Sequence, residues 1–193
     1  MQQKYTVLYR VWHWLMAISV IGLLLTVLLR KTFLSYKTNA LIIQEKLASM
    51  DIDISIENAK IIGKAIRTPM WEWHYIFGAM LGISLLIHLY MIITKRMSLP
   101  CLALIKAQSF EERMKKGVYF LIFIGIVIMS ITGGTIYFYK DLGLTKENAQ
   151  LLKELHESLL YPMLTVVVLH WIGVFRHEVK TKESIISKMV HGE

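Results

Sequence analysis

The side chains best suited to chemistry in this sequence are its seven histidines: His13, His74, His88, His156, His170, His177 and His191. The first five stand inside or at the edges of long apolar runs, where a polar group needs a compensating partner. One such histidine could simply hydrogen-bond to a neighbouring helix. Five in one short chain point to a shared task. His74 and His88 are fourteen residues apart, and so are His156 and His170. In a helix, fourteen steps of about 100° return to within about 40° of the start while rising about 21 Å. Each pair therefore shares a helix face, with its members at two depths.

The elements that must carry these residues are four stretches without Asp, Glu, Lys or Arg: Val11–Leu29, Trp73–Thr94, Gly117–Tyr139 and Ser158–Phe175. Each is close to the ~20 residues that cross a bilayer core as a helix. Four of them in 193 residues, in a chain 55% hydrophobic, leave too little polar sequence to cover them, so they are expected to face lipid. The expectation is an all-α, integral membrane, four-helix up-and-down bundle forming one domain over residues 1–193. Its spans are placed at about 8–30, 72–94, 115–139 and 149–176, with a small helical extramembrane cap at about 38–68. The first run follows a basic start (Lys4, Arg10), but Trp12, His13 and Trp14 interrupt it and no small-x-small site follows, so it is expected to be retained.

Charge and cysteine usage narrow the function. The net charge of +8 is not matched by any basic, aromatic-interleaved globular region, so no nucleic-acid partner is expected. Cys101 is the only cysteine, which rules out internal disulfides, Cys-held iron–sulfur clusters and the C-x-x-C-H haem attachment motif in this chain. Lys95, Arg96, Lys106, Arg113, Lys115 and Lys116 concentrate in the second loop, and Arg176, Lys180, Lys182 and Lys188 in the tail. That distribution favours cytoplasmic N- and C-termini, although the first loop is also basic. In that loop Ala40–Ile43 and Leu47, then Ile61, Ile62 and Ile66, suit two short amphipathic helices, the second capped near Ser55 and ended by Thr68-Pro69.

With both termini on one side, depth sorts the histidines into two layers. His74 and His156 form an outer layer, and His13, His88 and His170 an inner one. Each layer offers at least two imidazoles on different helices, which is what axial ligation of one haem iron needs. Structural zinc would want four clustered ligands. A proton relay would place Asp or Glu inside the uncharged runs, which hold none. Gly78 and Gly82 follow His74 on nearly its face, where they could admit a flat macrocycle or serve ordinary helix packing. Trp12, Trp14, Trp71, Trp73 and Trp171 flank the candidates as an interfacial aromatic belt would.

Four further segments carry a family resemblance: Arg10-Val11-Trp12-His13-Trp14-Leu15-Met16-Ala17, His74-Tyr75-Ile76-Phe77-Gly78, the span from His156 to His170, and Phe175-Arg176-His177-Glu178-Val179. They are similar to the R-x-x-H-W opening, the H-x-x-x-G second helix, the fourth-helix histidines and the F-H-H-x-[IV] exit of the prokaryotic cytochrome b561 family. That family extends to the cytochrome b subunits of membrane hydrogenases and formate dehydrogenases. The resemblance implies two non-covalent, bis-histidine haem b groups. It pairs His13 with His170 at the inner iron and His74 with His156 at the outer, making these four the metal ligands. Pattern alone equally allows His88 with His170. His88 stands where relatives often carry Arg, so it is either an alternative ligand or a propionate neighbour, and Arg10 is a candidate propionate partner.

The function implied is electron transfer between the quinone pool and a periplasmic redox partner or subunit, in the bacterial cytoplasmic (inner) membrane. The alternative is a self-contained quinone reductase acting on a small donor such as superoxide. Expected partners are membrane quinone, the lipid bilayer and a redox protein that docks on the first-loop cap, with a homodimer as a further option.

Overall fold

The computed structural model describes residues 5–181 and 184–192, and these are helical with no strand among them. Lys4 and Lys182, counted above among the basic flanks, lie outside the described residues. The helices are α1 (Val7–Lys31), α2 (Tyr36–Ala48), α3 (Ile56–Ile66), α4 (Thr68–Ile93), α5 (Pro100–Ile105), α6 (Phe110–Tyr137), α7 (Lys146–Ser158), α8 (Leu160–Thr181) and α9 (Ile185–His191). Four helical stretches are long and apolar enough to cross a membrane: Val7–Lys31, Ile56–Ile93, Phe110–Tyr137 and Lys146–Thr181. Large apolar residues are exposed along these helices while several hydroxyls are buried. Ser19, Ser84 and Thr132 are buried, while Leu25, Leu86, Ile93 and Ile131 are exposed along the same helices. Apolar surface turned outward is what a lipid solvent permits, and hydroxyls there must be satisfied internally.

The helix ends follow local sequence. Ser55, Ser109 and Thr145 each accept a backbone N–H three residues on, capping α3, α6 and α7. Two interruptions have one cause. Pro69 and Pro162 lack the N–H that a continuous helix would direct to residue i−4, and one-residue breaks fall shortly before them, at Arg67 and Leu159. The fourth apolar stretch is thus two helices, and the regular rotation assumed between His156 and His170 is interrupted. The short helices α5 and α9 were not expected from periodicity. Pro100 starts α5 at a position where a missing donor costs nothing. Ser184 caps α9, and Gly192, at φ +85°, ends it.

The chain divides into two compact units. One comprises residues 17–80 and the other residues 1–16 with 81–193. In the first unit, α1 and α4 touch where Gly22 faces the Phe77 ring, leaving no room for a Cβ. Arg30 stacks its guanidinium 5.5 Å above Trp71. Helices α2 and α3 form a hairpin closed on Ala40, Ala59 and Gly63, three small residues that let the backbones approach. Asp51 takes the left-handed conformation in the turn between them. In the second unit, α6 and α8 meet at Gly125, where an added Cβ would overlap the Met163 sulfur. The buried Trp12 indole N–H donates to the Ser84 carbonyl at 3.0 Å, tying the start of α1 to the latter part of α4.

Candidate haem site

His74 belongs to the 17–80 unit. It is half-buried on α4, one turn from Trp71, whose ring meets it edge-on at 5.6 Å. Its Nδ1 lies 2.8 Å from the Thr26 hydroxyl of α1. Gly78, one turn further, has no atom of the described residues within 4 Å of where a Cβ would stand. This glycine therefore makes no close helix-packing contact there.

The other unit holds Arg10, His13, His88, His156 and His170. His156, near the end of α7, sets its Nδ1 2.8 Å from Thr132 of α6. A Cβ at Gly133 would stand 3.1 Å from the His156 ring, so the glycine gives that imidazole its place. His170, on α8, packs edge-on against Tyr119 at 5.6 Å. Despite the break at Leu159, both imidazoles therefore meet α6. Gly82, like Gly78, stands in open space.

His13 and His170 lie within electrostatic range of each other. Both are half-buried, and the His13 Nδ1 is buried with no hydrogen-bond partner among the described residues. His88 is different. It is 4% exposed, with Trp12 against one side at 4.8 Å and Phe123 at 5.0 Å, and neither ring nitrogen has a partner among the described residues. A ligand imidazole must keep a ring edge accessible to the macrocycle. His13, His74, His156 and His170 are half-buried residues, and His88 is buried.

Arg10 donates from Nη1 to the Val190 carbonyl at 2.8 Å, and Trp14 donates from its indole to the Met189 carbonyl at 3.0 Å. These bonds hold the C-terminal end of α9 against α1 on either side of His13. The cation suits the negative end of that short helix. Glu178 accepts from the Ile186 N–H at the opposite end, so α9 is tied at both ends. Neither this clamp nor the two threonines beside the histidines is visible in the sequence. No periodicity relates position 26 to 74, 132 to 156, or 10 to 190.

The donor set fits a bis-histidine porphyrin iron. It consists of half-buried imidazoles, three on apolar helices and His156 near the end of the polar α7, with small residues beside two of them and a buried His13 nitrogen that no described protein group satisfies. Searches of curated proteins and of solved structures returned no match. The family model described as prokaryotic cytochrome b561 matches residues 4–192, nearly the whole chain. The chain belongs to the prokaryotic cytochrome b561 family, a family of haem b-binding membrane proteins of electron transfer.

Proposed function

We propose that this protein is a di-haem b cytochrome that carries electrons between the membrane quinone pool and a periplasmic redox partner. His13 and His170 would hold the inner haem, and His74 and His156 the outer. The outer pairing rests on the family motifs and on position along the spans. The inner pairing is supported by the electrostatic proximity of His13 and His170 and by the enclosure of His88. The observation that carries the reading is the set of four half-buried imidazoles within helical stretches long and apolar enough to span a membrane.

Haem held by two of these histidines would supply one-electron chemistry and would leave oxygen no place to bind. The chain's own contribution is to orient the imidazoles, keep water from them with apolar helices and fix their depth. In this reading the four spans run up and down, the termini are cytoplasmic, and the α2–α3 hairpin is an extramembrane cap. The bilayer and a quinone are partners, and Arg10 and His88 act as neighbours of the inner haem.

Cofactor stoichiometry tests the proposal. Acid acetone should extract two non-covalent haems per chain, and the intact protein should give low-spin bis-imidazole spectra. A fully loaded protein with one haem per chain contradicts it.

A further inference from the structure

A buried histidine has two ring nitrogens to account for, and its tautomer is set by what the non-ligating nitrogen meets. Thr26 and Thr132, both 4% exposed, meet His74 and His156 in the same way. The Thr26 Oγ1 lies 2.7 Å from the Leu23 carbonyl oxygen and 2.8 Å from His74 Nδ1. The Thr132 Oγ1 lies 2.8 Å from the Ile128 carbonyl oxygen, 3.2 Å from that of Met129 and 2.8 Å from His156 Nδ1.

Each hydroxyl carries one proton, and a carbonyl can only accept. The threonine proton is therefore committed to the helix carbonyl, and the oxygen has only lone pairs to offer the imidazole. In both units Nδ1 must be the donor. The imidazole is then the neutral Nδ1–H tautomer, with the ring lone pair on Nε2. Burial keeps water from competing for the same oxygen. At His156, Gly133 leaves room for the ring, since a Cβ there would stand 3.1 Å from it.

We propose that Thr26 and Thr132 are a matched pair of positioning residues that hold His74 and His156 as Nδ1–H tautomers with Nε2 presented as the iron donor. This inference rests on the reading of those two histidines as haem ligands. An Nδ1–H donating to an oxygen makes Nε2 more basic and fixes the ring plane, which favours the ferric state. Removing the acceptor should raise the midpoint potential of the haem those histidines hold and loosen its ring orientation.

The test uses the full-length holoprotein. Thr26→Val and Thr132→Val should each retain both haems, raise one midpoint potential and change one low-spin electron paramagnetic resonance signal, leaving the other haem as in the wild type. Thr→Ser at either position should restore both values, since serine returns the hydroxyl, and a purely steric role predicts no such rescue. Valine variants with unaltered potentials and spectra, or serine variants that fail to restore them, overturn the proposal. His74→Ala and His156→Ala separate its failure from that of the ligand reading. If they keep two haems, the ligand reading falls. If they lose one while the valine variants stay silent, only the threonine roles fall. Should a valine variant not accumulate, the reduced, diamagnetic wild-type protein still decides. Labelled with 15N-histidine, it should show at least two Nδ1–H signals that persist in deuterated water, and fewer than two overturns the proposal.

Discussion

His13 and His88 approach the same part of the molecule from α1 and α4, yet their surroundings ask different things of them. His13 is half-buried and lies within electrostatic range of His170, while His88 fills a slot between Trp12 and Phe123. His13→Ala should therefore lower the haem content from about two to about one per chain, read by pyridine haemochrome against protein mass. His88→Ala should keep both haems. It should cost about 2 kcal/mol for the cavity left between the aromatic rings and shift one midpoint potential through Trp12, the neighbour of His13. Loss of a haem in His88→Ala with retention in His13→Ala would reverse the pairing. The enclosure also changes what His88→Arg should do. The family resemblance suggests tolerance, but a guanidinium here would enter the slot between Trp12 and Phe123, where no described residue bonds the His88 ring nitrogens, so destabilisation is expected.

At the scale of elements, the α2–α3 hairpin is held by close backbone approach more than by side-chain bulk. A Cβ at Gly63 would stand 2.9 Å from the Tyr36 carbonyl oxygen, a backbone atom that cannot turn aside. Lys64 of α3 and Arg67, which follows that helix, cover the Tyr36 ring at 5.4 and 4.9 Å, and Gln44 bonds the Ile54 carbonyl across the turn. Gly63→Ala should push α2 and α3 apart at a cost of about 1–3 kcal/mol. The expected result is faster proteolysis within residues 32–55 and unchanged haem content. Equal protease resistance in variant and wild type would show that the hairpin absorbs the methyl.

The whole molecule is a multi-pass protein of the prokaryotic inner membrane, with Ser19, Thr26, Ser84, His88 and Thr132 buried and many leucines and isoleucines exposed. Its direction in that membrane follows, in the proposed reading, from the basic second loop and tail. Ser49 is exposed at the end of α2, and Cys101 is the only native thiol. A Ser49→Cys substitution in a Cys101→Ser background should react with a membrane-impermeant maleimide on intact spheroplasts. Labelling confined to inverted vesicles would place the hairpin in the cytoplasm and turn the topology over.

The sequence by itself determined what depends on local composition and on short-range rules. Four uncharged runs of bilayer length announce the spans, because hydrocarbon tolerates no exposed backbone and few charges. Ser55 caps its helix as its spacing to Asn58 suggests, and Thr68-Pro69 breaks the chain where proline must. Ordered histidine motifs were enough to show the family. Only tertiary structure decided which groups satisfy those histidines. Thr26 reaches His74 across 48 positions, Thr132 reaches His156 across 24, and Arg10 reaches Val190 across 180. Such pairings leave no period in the chain. They arise because these polar atoms take the complementary atom that the packed helices bring within 3 Å, and that choice is made by tertiary packing.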